Sequence, residues 1–292
     1  MDKELLFGKG ERVMKKTTGI IAFSLVLIGC IVFGGVMSML GWDFTKLSTE
    51  KYETNNYEIN EDFKAISVNT DTADIVFMPS ETSKTSVVCH EQKKVKHSVA
   101  VKDGTLVIEV NDTRKWYEHI GISFGTPKIT VCVPSGEYGV ISINTSTGSI
   151  GLQSIFADTV NLSVSTGRIS VSDVTCKGDV NINVSTGKTT LTDIACKNLI
   201  SSGSTGDVSL NNVIAAEKFS IRRSTGDVKF DLCDAAEVFM KTGTGDVIGS
   251  LLSEKVFYAK TDTGRVSVPN TASGGKCEIT TDTGNIKIDI KQ

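Results

Sequence analysis

Beyond about residue 137, apolar residues alternate with polar ones at a step of two, and a Thr-Gly pair breaks the alternation at regular intervals. The glycines are Gly148, Gly167, Gly187, Gly206, Gly226, Gly245, Gly264 and Gly284, spaced by 19 or 20 residues. Seven positions before them stand Ile141, Val160, Val180, Leu199, Phe219, Val238, Phe257 and Cys277, all apolar. Five before stand Ile143, Leu162, Ile182, Ser201, Ile221, Met240, Ala259 and Ile279. Two after come Ile150, Ile169, Thr189, Val208, Val228, Val247, Val266 and Ile286, and four after come Leu152, Val171, Leu191, Leu210, Phe230, Gly249, Val268 and Ile288. A step of two between inward positions is the period of a strand with one buried face. The glycine falls at a corner that calls for positive φ.

Each unit reads as strand, Thr-Gly corner, strand and a second bend eight to ten residues past the glycine. No helix-period segment separates the strands, so each coil returns through β-structure. The expected fold is an all-β parallel β-solenoid with coils of 19–20 residues. The absence of an 18-residue hexad rule points to a right-handed coil. A ninth copy lies upstream, with Ile66, Val68, Ile75 and Phe77 in the inward columns and Ala73 at the glycine position. The insertion that follows carries strand-like runs at 85–90, 98–102, 105–110 and 128–133 and a hairpin signal at Asp103-Gly104. It predicts a β-rich N-terminal cap, which a solenoid needs because an open coil end is an unpaired strand edge. At the other end, Ile286, Ile288 and Ile290 are followed only by Lys291 and Gln292. This predicts an uncovered last coil, available for self-association.

The N-terminus has a different pattern. From Thr17 to Trp42 there is no charged residue, and Gly19 to Leu40 is long enough to cross a bilayer as a helix. Lys3, Lys9, Arg12, Lys15 and Lys16 precede it and Asp43 follows, which places the N-terminus in the cytoplasm and the rest outside. The expected division is a cytoplasmic tail over 1–18, a transmembrane anchor over 19–41, a linker over 42–62, the first coil and cap over 63–137, and the solenoid over 138–292. Met14-Lys15-Lys16 is an alternative start. Leu27-Ile28-Gly29-Cys30 resembles a bacterial lipobox that would make Cys30 a lipidated N-terminus, but Ile31 to Leu40 stays apolar where a lipoprotein turns polar.

Composition is that of a globular protein, with 39% apolar and 22% charged residues. Removing the five basic and three acidic residues of positions 1–42 leaves 26 basic and 31 acidic, a net charge of −5 that speaks against nucleic acid. Cys176 and Cys196 share a small-residue column with Ala157, Ala215 and Ala235, while Cys233 and Cys277 fall in core columns. These read as buried thiols rather than a disulfide framework.

Several motifs resemble chemistry. Asp262-Thr263-Gly264 and Asp282-Thr283-Gly284 match the aspartic-protease signature, yet they sit on adjacent coils in a column of serines, without the two lobes and cleft that paired carboxylates need. Asp207, Asp227 and Asp246 each follow a corner glycine and stack at one edge. They are candidate calcium ligands, although the Gly-Gly-x-Gly-x-Asp pattern is absent and a solvated acidic stripe accounts for them. No other cofactor is indicated. His90, His97 and His119 lie in the cap without ligand spacing. Trp116-Tyr117, Ile120 and Phe124 read as cap core, and Lys93, Lys94 and Lys96 as a solvated edge. Arg222 falls outward by alternation, and Arg223, beside Thr242 and Thr261 in its column, reads as surface variation.

The anchor, the segment Gly41-Trp42-Asp43-Phe44, the entry from Tyr57 to Phe63 and the serial Ser-Thr-Gly-Asp-Val coils together resemble the “putative adhesin” family of unknown function, including LiaG-like and YvlB-like membrane proteins of Gram-positive bacteria. The resemblance implies a β-solenoid ectodomain on a single-pass anchor in the cell membrane and a loose link to envelope stress. It carries over no catalytic residues. The leading expectation is a non-enzymatic extracellular module that binds a cell-wall polymer or envelope protein. The alternatives are an accessory of an envelope stress response and, more remotely, a polysaccharide-cleaving β-helix, for which Arg222, Arg223 and the carboxylates are the only raw material.

Overall fold

In the computed structural model, residues 3–43, 51–116 and 125–291 are described. The chain divides into two compact units, one of residues 1–51 with 116–124 and the other holding all the strands. The first unit carries α1 (Lys3–Met39), whose segment Gly19–Met39 has a mean hydropathy of 2.7. Apart from the buried Met37, its large apolar side chains are exposed round the helix, with Ile20, Phe23 and Val26 each about two-thirds exposed. A helix apolar on every face is built for an apolar surrounding. It stops where Gly41 and Trp42 turn left-handed and the Trp42 N–H closes back on the Met37 carbonyl at 2.8 Å.

The second unit is a stack of parallel coils. The first coil is β2 (Ala65–Thr72) with β3 (Asp74–Pro79), separated by the buried Ala73 at the glycine position. Then follow β8 (Glu137–Thr147), β9 (Ile150–Thr166), β10 (Ile169–Cys176), β11 (Asp179–Thr186), β12 (Thr189–Thr205), β13 (Val208–Thr225), β14 (Val228–Thr244) and β15 (Val247–Leu251). Pairing is in register by column: Ile66 faces Ile141, Ile141 faces Val160, and Val160 faces Val180. Like side chains stack on like, and all but a few of the column residues are buried.

The coil turns earlier than alternation alone suggests. Ser154, Asp173, Asp193, Asn212 and Leu232, each six past a glycine, have φ between 51 and 55°. Asp, Asn and Ser tolerate the left-handed region because short polar side chains can bond locally. Here they also bond from coil to coil, Ser154 to Asp173 at 2.8 Å and Asn212 to Asp193 at 2.7 Å. Past this corner the chain continues as strand, with register shifts between Cys196 and Asn198 and between Ala215 and Lys218.

The C-terminal coils do not stack in chain order. β16 (Lys255–Thr263) and β17 (Val266–Ser267) come first in sequence, followed by β18 (Gly275–Thr283) and β19 (Ile286–Ile290). Yet β14 pairs with β18, β15 with β19, and β16 and β17 pair on the far side of that coil. The expectation of an uncovered C-terminal coil is therefore corrected: Ile286 and Ile288 are buried between neighbours, and the penultimate coil forms the end. It shows there, with Tyr258 58% and Val266 42% exposed.

At the opposite end lie β4 (Thr85–Gln92), β5 (Val95–Lys102), β6 (Thr105–Asp112) and β7 (Lys128–Val133). β6 adds to β2 and β7 to β3 in parallel, continuing the coil. β5 then pairs antiparallel with β6, β4 with β7, and β1 (Tyr52–Ile59) with β4. Reversing direction ends the helical repeat.

Candidate functional site

The corners define the regular edge of the stack. Each glycine N–H donates to a threonine carbonyl of the next coil at 2.8–3.0 Å, in the order Gly148, Gly167, Gly187, Gly206, Gly226, Gly245, Gly284. These glycines have φ of 130–155°, and a Cβ on any of them would lie 1.5–2.3 Å from a neighbouring backbone oxygen. Both the turn and the coil spacing thus require glycine. The column three before the glycine also points inward, and its threonines bond the corners: Thr242 donates to the Gly226 carbonyl and Thr281 to that of Gly245, each at 3.0 Å.

The candidate calcium ligands lie one residue past the corner. Asp207 accepts the Asp227 N–H at 3.0 Å, Asp227 accepts that of Asp246 at 2.9 Å, and Asp246 accepts that of Asn285 at 2.6 Å. Each carboxylate thereby binds a backbone donor on the next coil. The Asp246 N–H holds the Asp227 carboxyl below its usual range, helped by Lys229 at 3.1 Å. Among the described residues, these three do not converge as a metal-ligand group within 4.8 Å. Asp262 and Asp282 are exposed on adjacent coils, Asp262 beside Lys260 at 3.0 Å.

Arg222 and Arg223 have opposite fates. Arg222 is exposed and lies over the Phe239 ring at 4.6 Å. Arg223 is not surface variation: it is 4% exposed, because the column it occupies faces the core. Its guanidinium donates to Ser201 Oγ at 2.9 Å, Thr189 Oγ1 at 3.2 Å and the Arg222 carbonyl at 2.7 Å, while Nε–H has no partner. Ser201 and Thr189 are polar departures from otherwise apolar columns, and a Cβ on Gly203 would sit 2.0 Å from the Val184 carbonyl oxygen and 3.3 Å from the guanidinium carbon. Burial pushes the Arg223 pKa down to about 10. A buried cation with an orphaned donor stabilises little. Arg223→Met is expected to leave the urea unfolding midpoint unchanged or raised; a clear fall would show that the guanidinium contributes net stability.

In the cap, alternation along β4 points Val87, Cys89 and Glu91 inward, and all are fully buried. His97, 3% exposed, meets Glu91 with its Nδ1 at 2.7 Å from Oε2 and its backbone N–H at 2.6 Å from the same oxygen. Its Nε2 lies 2.8 Å from Thr70 Oγ1, and Asn55 donates to Glu91 Oε1 at 2.7 Å. Burial, then the Glu91 charge, pushes the Cys89 thiol up to about 12. Among the described residues, Cys89, Glu91 and His97 are the group whose ligand atoms all lie within 4.8 Å. Sequence reading missed it; the available signal was a glutamate in phase with Val87 and Cys89. His90 is exposed, stacked on Tyr52 at 5.2 Å. Lys96 pairs with Glu53 at 2.5 Å. His119, Tyr117, Ile120 and Phe124 lie outside the described residues.

The Toastrack DUF4097 family profile matches residues 63–187 and 175–292, most of the chain and all of its solenoid. The chain belongs to that family. No curated protein matches it in sequence. Among solved structures, it is similar to a “putative adhesin” from Bacteroides fragilis at 17% identity, covering 82% of this chain and 97% of that one with a TM-score of 0.44. A “putative adhesin” from Parabacteroides distasonis is 13% identical over 82% of this chain and 98% of the other, with a TM-score of 0.47. A “putative lipid binding protein” from the same species is 13% identical over 83% and 98%, with a TM-score of 0.29.

The Toastrack stack also presents one continuous outer wall, formed by the residues six and four before each glycine. Over the early coils it is uncharged: Asn144, Asn161, Ser163, Asn181, Asn183 and Ser202, with the exposed Ile200 among them, line a trough of about 420 Å³. Asn144 donates to Asn69 at 3.0 Å and Asn181 to Asn161 at 2.9 Å, leaving further amide groups facing solvent. Over the later coils the same wall carries Arg222, Phe239, Lys241, Tyr258 and Lys260, with Glu278 between Phe239 and Tyr258 and Lys276 bonded to Glu278 at 2.7 Å and over the Tyr258 ring at 5.6 Å.

Proposed function

We propose that this protein is a non-enzymatic, membrane-anchored module whose outer solenoid wall binds a polymer of the cell envelope. The single observation that carries the reading is that wall: open amide and hydroxyl groups over the early coils pass into aromatic rings and an excess of cations, Arg222, Lys241 and Lys260 around the carboxylate of Glu278, over the later ones. Amides suit hydroxyl-rich chains, aromatic faces suit sugar rings, and the cations suit anionic groups along the same polymer. The apolar segment Gly19–Met39 is 21 residues long and supports anchoring in a bilayer, with the basic residues before it on the cytoplasmic side.

The test is capture of the full chain, in detergent, on peptidoglycan and on immobilised teichoic acid. Saturable capture is expected, with the affinity of Arg222→Ala/Lys241→Ala/Lys260→Ala lowered about tenfold, or about 1.4 kcal/mol. Chelating calcium is expected to change nothing, because the carboxylates past the corners already hold backbone N–H groups. Failure of both polymers to capture the protein would remove the wall from consideration as a polymer site.

A further inference from the structure

We propose that Cys89, Glu91 and His97 form a binding site for a zinc-class divalent ion that fastens β4 to β5 within the cap. The three side chains offer sulfur, carboxylate oxygen and imidazole nitrogen within 4.8 Å of one another, a mixed donor set suited to zinc rather than to calcium or magnesium. All three are buried.

The surrounding groups are arranged as the outer shell of a metal site. Histidine ligands characteristically engage a hydrogen-bond partner through the ring nitrogen that does not touch the metal, and ligating carboxylates are themselves hydrogen-bonded. Thr70 engages His97 Nε2 at 2.8 Å, leaving Nδ1 turned to the other donors, and Asn55 holds Glu91 Oε1 at 2.7 Å, leaving Oε2 turned the same way. Charge also closes. A thiolate and a carboxylate balance a divalent cation beside a neutral imidazole, so the loaded site carries no net charge into the core. The 2.7 Å Nδ1···Oε2 hydrogen bond lies where the ion would bridge the two atoms. On loading, that contact opens, its proton ends on His97 Nε2, where Thr70 Oγ1 accepts it, the Cys89 S–H proton leaves to solvent as the sulfur–metal bond forms, and nothing is oxidised or reduced. The ligands and their supports come from β4 and β5 of the cap, β1 beside it, and β2 of the first coil. One ion would thus bridge β4 and β5 directly, and through the Thr70 and Asn55 hydrogen bonds its ligands are held against β2 and β1.

The experiment uses the full chain, purified in detergent, stripped with chelator and reloaded with zinc or cobalt(II). One equivalent of zinc is expected to remain after gel filtration. The cobalt form is expected to show a thiolate-to-cobalt charge-transfer band, and zinc is expected to raise the thermal midpoint by several degrees. Cys89→Ser keeps the Glu91–His97 hydrogen bonds and therefore the fold, and is expected to lose the band and the zinc-dependent shift. Cys132→Ser, on neighbouring β7, is expected to keep both. No retained metal in the unaltered protein would overturn the proposal and leave a hydrogen-bonded pair only; a cobalt band that survives Cys89→Ser would overturn it equally.

Discussion

Gly187→Ala is expected to collapse the stability of the stack. The added methyl would sit 1.5 Å from the Gly167 carbonyl oxygen, in a backbone with φ of 141° that L side chains avoid. The obstacle is the backbone of Gly167, so no rotamer change relieves it. The neighbouring coils cannot part without breaking the hydrogen bonds from Gly167 to Thr186 and from Gly187 to Thr205, each shorter than 3.0 Å. The loss should fall in the exceptional class of single substitutions, above about 4 kcal/mol. Gly136→Ala is the control, since nothing lies within 4 Å of a Cβ there. Urea unfolding followed by circular dichroism reads both, and equal midpoints for the two variants would contradict the requirement for glycine at the corner. Because each coil touches only its neighbours, the Gly187 variant is also expected to unfold in more than one step.

Removing residues 275–292 is expected to disorder two coils rather than one. Among the described residues β16 pairs only with β18 and β17 only with β19, so the excised segment holds the β partners of the coil that precedes it in sequence. The inward isoleucines Ile279, Ile286 and Ile288, all buried, would go with it. Amide hydrogen exchange would then show protection ending near Leu251, with 255–267 exchanging freely. Retained protection over 255–267 would show instead that β16 can seat directly on β14, making the two orders of stacking close in energy.

That non-sequential order marks the limit of what the columns could say. Phe257 and Cys277, or Val266 and Ile286, fit the same column, so alternation assigns them the same inward role without saying which coil lies inside. Arg223 is a related case. Its parity with Ile221 already put it on the inward face, but a charged side chain argued for the surface. The contrary facts, Ser201, Thr189 and Gly203, lie on two other coils and acquire meaning only once stacked. Glu91 followed the same pattern: alternation turned it inward, and the partners that make its burial tolerable, His97, Thr70 and Asn55, come from three other strands.

What the sequence determined by itself was local and repeated: strands of period two, a corner at every Thr-Gly, Ala73 standing in for a glycine, and a parallel stack with like residues on like. Those features follow from side-chain alternation and from the φ that a corner demands, both set within a few residues. Tertiary structure alone decided the interleaved final coils, the left-handed corner six past each glycine, the role of the Asp207, Asp227 and Asp246 carboxylates as acceptors for the next coil, and the gathering of Cys89, Glu91 and His97. Each of these depends on which strand lies alongside, and that choice is made by pairing between segments tens of residues apart.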